Sequence, residues 1–402
     1  MMRVLIADDD EVSRFLLEAM LKDWGYDCLV AGDGLEAWQR LCTEDIQFVI
    51  SDLMMPHMDG IELCRRIRNA NWPYYVYVIL LTASYEKSAL ITGMEAGADD
   101  FLNKPFDQEE LQVRIRAGER VVRLEQTLHQ RNVALSAAYS QIQRDLEAAA
   151  RMQQSLLPRA AVTLSGITCD WVFHPCAVVA GDIFNVFPLD EQHLGFYHLD
   201  VAGHGIPSAM LSVTLSKVLS ATDAQHSLLK RYRAEAAQPD LLSPADVIRT
   251  LNQQFQSSDD SLLYFTMVYG LIDTQAARMT LTQAGHPSPV YLPKGGPAVL
   301  LGTGGYPVGM LPGVDYETVT VDFQCGDRLV LYSDGVTECQ NATHEGFTER
   351  RLLRYLEQTR TQPLAQVMQN LERYLCVWRG APAFEDDVSV LAFEASGEER
   401  VR

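Results

Sequence analysis

The chain lacks long apolar runs, paired cysteines, internal repeats and an excess of basic residues, and each absence excludes something. The longest apolar run, Val76 to Ala83, suits a buried strand and is well short of the roughly 18 residues a membrane helix needs. Met1 to Ala7 carries no basic region, long apolar core or cleavage site of a signal peptide, so a cytoplasmic protein is expected. Eight cysteines lie scattered from Cys28 to Cys376 without a CxxC pair, which argues against a zinc site and a disulfide framework. They read as reduced core thiols. With 33 lysines and arginines against 53 acidic residues, the formal net charge is -20. Such a surface repels a phosphate backbone, so nucleic-acid binding is disfavoured, while divalent cations are favoured wherever carboxylates converge.

What is present is a globular composition: 402 residues, 47% of them apolar, enough for two or three domains with their own cores. Residues 1 to 118 alternate short β-rich runs with amphipathic stretches. Val4 to Ala7, Cys28 to Ala31, Phe48 to Ser51 and Val76 to Leu81 read as strands. Val12 to Trp24, Leu35 to Cys42, Ile61 to Arg68 and Ser88 to Ala96 read as helices. Strand runs that are apolar throughout predict an α/β, doubly wound parallel sheet covered on both faces. Ligands bind beyond the carboxyl ends of such strands. Asp8, Asp9 and Asp10 follow the first strand and Asp52 the third. Carboxylates gathered there raise one another's pKa unless a cation neutralises them, and Mg²⁺ suits an open oxygen site. Thr82 ends the fourth strand, and Lys104-Pro105 follows the fifth; a lysine there would offset a phosphoryl group on Asp52.

Residues 119 to 157 hold neither proline nor glycine. Apolar residues recur at Val121, Leu124, Leu128, Leu135, Ala138, Ile142, Leu146 and Ala149, mostly alternating three and four, with Arg131 in the seam and a four-residue step after Ile142. This predicts a long coiled-coil linker helix with an imperfection, pairing with a second copy or packing on its own chain. Residues 158 to 397 are rich in strands interrupted by helices, which predicts a C-terminal α/β sandwich covered by helices. Four acidic positions there each follow or end an apolar run: Asp182, Asp200, Asp334 and the pair Asp386-Asp387. Singly, each reads as a turn aspartate.

The N-terminal motifs Ile6-Ala7-Asp8-Asp9-Asp10, Asp52-Leu53-Met54-Met55-Pro56 through Asp59-Gly60, Leu81-Thr82-Ala83 and Lys104-Pro105-Phe106 resemble, in order and spacing, the receiver domain of response regulators, a five-stranded flavodoxin-like fold. The resemblance implies that Asp52 accepts phosphate from a histidine kinase or small phosphodonor. Asp9, Asp52 and the Met54 carbonyl would ligate Mg²⁺, Asp8 acting largely through water, while Thr82, Phe101 and Lys104 would form the switch.

In the C-terminal segment, Gln153-Gln154-Ser155-Leu156-Leu157-Pro158, Ala180-Gly181-Asp182, His198-Leu199-Asp200-Val201-Ala202-Gly203-His204-Gly205, Ala284-Gly285-His286-Pro287, Tyr332-Ser333-Asp334-Gly335 and Asp386-Asp387-Val388-Ser389 together resemble PPM-type (protein phosphatase 2C-like) serine/threonine phosphatases, in the branch that regulates bacterial sigma factors. The resemblance implies two Mn²⁺ or Mg²⁺ ions. Asp200 would bridge them with the Val201 carbonyl as a further ligand; Asp182 would hold one ion, and Asp334 and Asp386 the other. His204 stands where animal members place a candidate general acid. Asn185 departs from the pattern, which usually has aspartate there, and removes a charge near the metals. The implied substrate is a phosphorylated STAS-type anti-sigma-factor antagonist. The rival reading is a phosphatase-like adaptor that has lost catalysis and docks a sigma-factor regulatory partner. A DNA-binding output fits neither the charge nor the size of this half.

Overall fold

The computed structural model describes residues 2–83, 87–158, 162–203, 205–220, 228–231, 240–256, 264–381 and 383–396. The chain divides into two compact units, Met1–Gln141 and Ile142–Arg402. In the first, β1 (Arg3–Ala7), α1 (Glu11–Asp23), β2 (Asp27–Ala31), α2 (Gly34–Thr43), β3 (Phe48–Asp52), α3 (Gly60–Asn69), β4 (Tyr77–Thr82), α4 (Lys87–Glu95) and β5 (Asp100–Asn103) alternate, and α5 (Gln108–Gln154) follows. The strands form one parallel sheet in the order β2-β1-β3-β4-β5. The uninterrupted apolar runs have their reason in two cores: Leu5, Val49 and Leu80 pack toward α2 and α3, while Val4, Ile6, Ile50 and Ile79 pack toward α1 and α5. Three aspartates cap helices by accepting a backbone N–H: Asp10 from Ser13, Asp33 from Glu36 and Asp59 from Glu62.

The helix after β5 passes through Gly118 without a break and runs 47 residues. Gly118 is where α5 crosses the stacked rings of Phe48 and Tyr77, whose centroids are 5.1 Å apart. A Cβ there would sit 2.5 Å from atoms of both rings. Beyond this point the apolar seam faces outward: Leu124, Leu128, Leu135 and Ile142 are 63%, 54%, 68% and 57% exposed.

The second unit contains β6 (Val162–Leu164), β7 (Ile167–His174), β8 (Ile183–Pro188), β9 (His193–Val201), α6 (Ile206–Val218), β10 (Lys230–Arg231), β11 (Asp240–Leu241), α7 (Pro244–Gln254), β12 (Phe265–Asp273), β13 (Arg278–Ala284), β14 (Val290–Leu292), β15 (Val299–Leu300), β16 (Thr318–Asp322), β17 (Arg328–Tyr332), α8 (Asp334–Thr337), α9 (Glu349–Gln358), α10 (Leu364–Arg379) and β18 (Val388–Ala395). Two sheets, ordered β16-β13-β12-β9-β8 and β15-β14-β17-β18-β7-β6, pack face to face. Strand alternation explains the layering. On β9, Leu194 and Phe196 point into the inter-sheet core, where they meet Leu391 and Phe393 of β18. Tyr197, Leu199 and Val201 point outward beneath α6 and α7. On the other sheet, Val388, Val390 and Ala392 pack beneath α9 and α10. Each such fully buried side chain contributes about 1.5–3 kcal/mol of transfer free energy.

The cysteines correct one expectation. All eight are free thiols, but only Cys64, Cys169 and Cys339 are buried; Cys42, Cys325 and Cys376 are exposed. Small apolar residues are tolerated singly at the surface, so cysteine content does not report core position.

Gly118→Ala is expected to destabilise the first unit by about 1–3 kcal/mol through overpacking against Phe48 and Tyr77. Urea unfolding of the full chain checks this, and an unchanged midpoint for that unit would show that the rings give way freely.

Candidate metal centre and phosphoacceptor site

In the first unit the strand ends bring the expected residues together. Asp8, at the end of β1, is buried, Asp52 closes β3, and Lys104 follows β5. Lys104 Nζ donates to Asp8 Oδ2 at 2.7 Å and also to Asp52 Oδ1. The Met54 N–H donates to Asp52 Oδ2 at 2.9 Å, and the Asp10 N–H to Asp8 Oδ1 at 2.9 Å. Burial raises the Asp52 carboxyl above its ordinary value, against the lowering effect of Lys104. Lys104 is itself raised: burial alone would lower it, but its bonds to Asp52 and Asp8 prevail. Asp9, next to Asp8, and Met54, two residues beyond Asp52, are both exposed. Thr82 is buried at the end of β4. Phe101 is turned inward; a Cβ on Gly93 of α4 would fall 2.3 Å from its ring.

In the second unit each sheet supplies a pair of aspartates at the same end of the sandwich. Asp182 precedes β8 and Asp200 lies near the end of β9, antiparallel neighbours in which Ile183 pairs with Leu199. Asp334 follows β17 and Asp386 precedes β18, neighbours in which Tyr332 pairs with Val390. Exposure grades outward: Asp182 is buried, Asp200 and Asp334 are half-buried, and Asp386 is exposed. Two glycines permit the close approach. A Cβ on Gly181 would lie 2.9 Å from the Val201 carbonyl oxygen, and one on Gly335 would lie 2.1 Å from that of Asp387.

The electrostatics are those of crowded acids. Burial, then the charge of Asp200 and of Asp387, raises Asp182 well above the ordinary carboxyl range. Burial together with Asp334 and Asp386 pushes Asp200 up to about 7. Asp334 is raised by burial and by Asp386 and Glu338. Buried carboxylates that oppose one another's ionisation are a donor set suited to hard divalent cations. Among the described residues, Cys176, Asp386 and Asp387 have ligand-type atoms within 4.8 Å of one another, whereas no three of Asp182, Asp200, Asp334 and Asp386 come that close.

Adjacent aspartates divide the work. Asp387 is buried and holds backbone: its Oδ1 accepts from the Cys176 N–H at 2.8 Å and its Oδ2 from the Gly181 N–H at 2.6 Å. It pins the Asp182 loop to the start of β18, leaving Asp386 at the mouth. Gln153, in the last turn of α5, grips the same loop. Its Nε2 donates to the Ala180 carbonyl at 2.7 Å and to Ser212 Oγ at 2.9 Å, and its Oε1 accepts from the Ala180 N–H at 3.0 Å. Sequence reasoning gives neither residue a role, although Gln153 stands in a quoted motif; glutamine in a helix carries no spacing signal. Asn185 corrects an expectation. Its Nδ2 donates to the Leu156 carbonyl at 3.4 Å and its Oδ1 accepts from the Val186 N–H, so it lies on the opposite side of β8 from Phe184 and the inter-sheet layer, outside the acidic cluster. His204 lies outside the described residues.

A parallel receiver sheet with a strand-end acidic pocket, and a sandwich with paired aspartates at one end, define a receiver domain joined to a phosphatase-type domain. Residues 190–396 match the sequence profile of stage II sporulation protein E (SpoIIE), and residues 4–116 match that of the response regulator receiver domain. The chain belongs to the SpoIIE family. It is 28% identical over 199 residues to the phosphoserine phosphatase RsbP of Bacillus subtilis, covering 48% of this chain and 45% of that protein. It is 36% identical over 115 residues to the transcriptional regulatory protein PhoP of B. subtilis, covering 29% of this chain and 47% of PhoP. The chain thus spans about half the length of the curated relatives it matches. The PP2C domain of SiaA from Pseudomonas aeruginosa superposes with a TM-score of 0.54 at 20% identity, covering 64% of this chain and 99% of that one, which shows the shared fold.

The acids predict a pH signature. Asp200 at about 7, against its ordinary 3.8, means that the cation-free folded state keeps a proton the unfolded chain has released. That stabilisation is complete below the unfolded value and is lost as pH rises toward the folded one. In EDTA, the melting temperature of the second unit should therefore fall between about pH 5 and about pH 7, Mn²⁺ should restore it, and Asp200→Asn should flatten the slope. Equal slopes for wild type and Asp200→Asn, measured by calorimetry on the full chain, would contradict the raised carboxyl.

Proposed function

We propose that this protein is a cytoplasmic two-component response regulator whose output is a metal-dependent phosphatase for protein phosphoserine or phosphothreonine. The observation that carries the reading is the convergence of Asp182, Asp200, Asp334 and Asp386 at one end of the sandwich, each sheet giving two. In this reading residues 1–118 are the receiver, 119–157 the linker and 158–397 the output. Asp200 would serve both ions, with the Val201 carbonyl as an additional ligand; Asp182 would hold one ion, and Asp334 with Asp386 the other. Such ions, when bound, lower the pKa of a water and neutralise phosphoryl oxygens. The chain's own contribution is placement: Asp387 and Gln153 hold the Asp182 loop, and the crowding of acids keeps the site selective for cations. No serine or cysteine nucleophile is required.

The receiver half acts as the input. Asp52 would take a phosphoryl group from a histidine kinase or small phosphodonor, and Asp9, Asp52 and the Met54 carbonyl, with Asp8 through water, would hold the Mg²⁺ that offsets its charge. Lys104, already bonded to Asp52, then faces the phosphate, and Thr82 and Phe101 move with it. The continuous α5 and the grip of Gln153 on Ala180 offer a path from that switch to the Asp182 loop. The outward seam of Leu124, Leu128, Leu135 and Ile142 supports a homodimer through α5. The likeness to RsbP, named a phosphoserine phosphatase, supports the reaction; a partner in sigma-factor control, a phosphorylated STAS-type antagonist, rests on the resemblance of the sequence motifs alone. Asn185, the one departure that favoured a degenerate adaptor, lies away from the acids.

The test is Mn²⁺-dependent release of phosphate from a phosphoserine protein. Asp334→Asn should lower turnover by about two orders of magnitude, the loss typical when a preorganised electrostatic partner of a transition state is removed. Asp52→Ala should leave the unstimulated rate in place and abolish any change produced by a phosphodonor. Equal turnover by Asp334→Asn would remove the enzyme reading, and an intact phosphodonor response in Asp52→Ala would remove the coupling.

A further inference from the structure

The inter-sheet layer is apolar along most of its length and becomes polar where it reaches the aspartates. There, four side chains form an unbroken file that ends on Asp182. Thr266 Oγ1 lies 2.9 Å from His286 Nδ1, and His286 Nε2 lies 2.8 Å from His198 Nδ1. His198 Nε2 lies 3.0 Å from Ser389 Oγ, and Ser389 Oγ donates to Asp182 Oδ2 at 2.5 Å. His198, His286, Ser389 and Asp182 are all buried. Phe184 stacks on His198 with planes 6° apart, and Gln283 Nε2 donates to the His286 backbone carbonyl, holding the main chain that carries the second ring.

Proton counting gives the file one direction. Ser389 Oγ donates its single proton to Asp182 Oδ2. Ser389 can then only accept from His198, which must carry its hydrogen on Nε2. The bare Nδ1 of His198 accepts from His286 Nε2–H, and the bare Nδ1 of His286 accepts from the Thr266 hydroxyl. Each ring is thereby neutral with one proton. The backbone carbonyls of Ser389 and Tyr332 lie beside His198 and His286 as further acceptors for a ring N–H.

Apolar side chains of similar volume would fill this layer without the cost of burying polar groups, so filling space does not account for the file. We infer that His198 and His286 are positioning residues that, through Ser389, engage Asp182 Oδ2 and fix the orientation of its carboxylate beside Asp200. Groups that orient a ligand in this way tune metal affinity as well as rate. The inference rests on the reading of Asp182 as a metal ligand and extends it to residues that touch neither ion nor substrate.

The test measures Mn²⁺ affinity of the full chain by electron paramagnetic resonance of the free ion, alongside turnover and thermal unfolding without metal. Every arm carries Asp9→Asn to disable the receiver's separate cation site. Ser389→Ala, His286→Leu and Thr266→Val each remove one link; His286→Gln keeps a donor near the Nε2 position. Expected are Mn²⁺ affinities lowered about tenfold in Ser389→Ala and His286→Leu, less in Thr266→Val, with most of the loss restored in His286→Gln. Turnover should recover at saturating Mn²⁺ with the substrate KM unmoved. Wild-type affinity in the folded His286→Leu chain, or equal weakness in the Gln and Leu variants, would overturn the inference. A parent chain that binds Mn²⁺ without hydrolysing phosphoserine would contradict the phosphatase reading, while the order of affinities among the variants would still decide the role of the file.

Discussion

Like charges crowded at a strand-end edge are the constraint on which the rest of this molecule depends. Carboxylates removed from water and set beside one another resist ionisation, and the chain meets this cost in two different ways. In the receiver, the protein supplies its own counter-charge: Lys104 reaches both Asp8 and Asp52. In the sandwich, after burial itself, the charges that raise Asp182, Asp200 and Asp334 are those of other acids, and among the described residues no cationic side chain answers them as Lys104 does in the receiver. In the proposed function, one site accepts a phosphoryl group onto an acid and the other gathers cations that act on a phosphoryl group elsewhere.

Holding such acids in place requires a scaffold that gains more than they lose. The three apolar layers of the sandwich do this, since side chains alternate inward and outward along each strand and fill the space between sheets and beneath the helices. Acids at strand ends can then be poorly solvated without unfolding their surroundings. The loops that carry them are held by backbone hydrogen bonds to Asp387 and by Gln153, and by glycines at 181 and 335 where no Cβ fits. Asp386 and Asp387 show how finely this is divided: neighbouring identical residues, one buried and bonded to backbone, the other exposed at the mouth.

Much of this was legible in the sequence, for a physical reason. Uninterrupted apolar runs ending in Asp8, Asp52 and Thr82 are what a parallel sheet covered on both faces requires, and the five strands occur as expected. The sandwich was legible as a class from its strand density, and the acidic motifs were legible through their resemblance to phosphatases. Periodicity alone could not show that Asp182, Asp200, Asp334 and Asp386 meet, because they are separated by up to 204 residues and each is an ordinary turn aspartate in isolation. Burial of cysteines was misjudged because a thiol tolerates both core and surface. Asn185 was misjudged because strand alternation, not proximity in sequence to Asp182, decides which way a side chain points.

By itself the sequence determined the alternation of elements, the apolar faces, the seam along α5 and the chemical kinds of residue at each strand end, since these follow from local periodicity and residue type. Only the tertiary structure decided that two sheets bring their aspartates to the same end, that Asp387 faces inward while Asp386 faces out, and that Thr266, His286, His198 and Ser389 line up behind Asp182. Those outcomes depend on the pairing and stacking of strands distant along the chain, which no local pattern encodes.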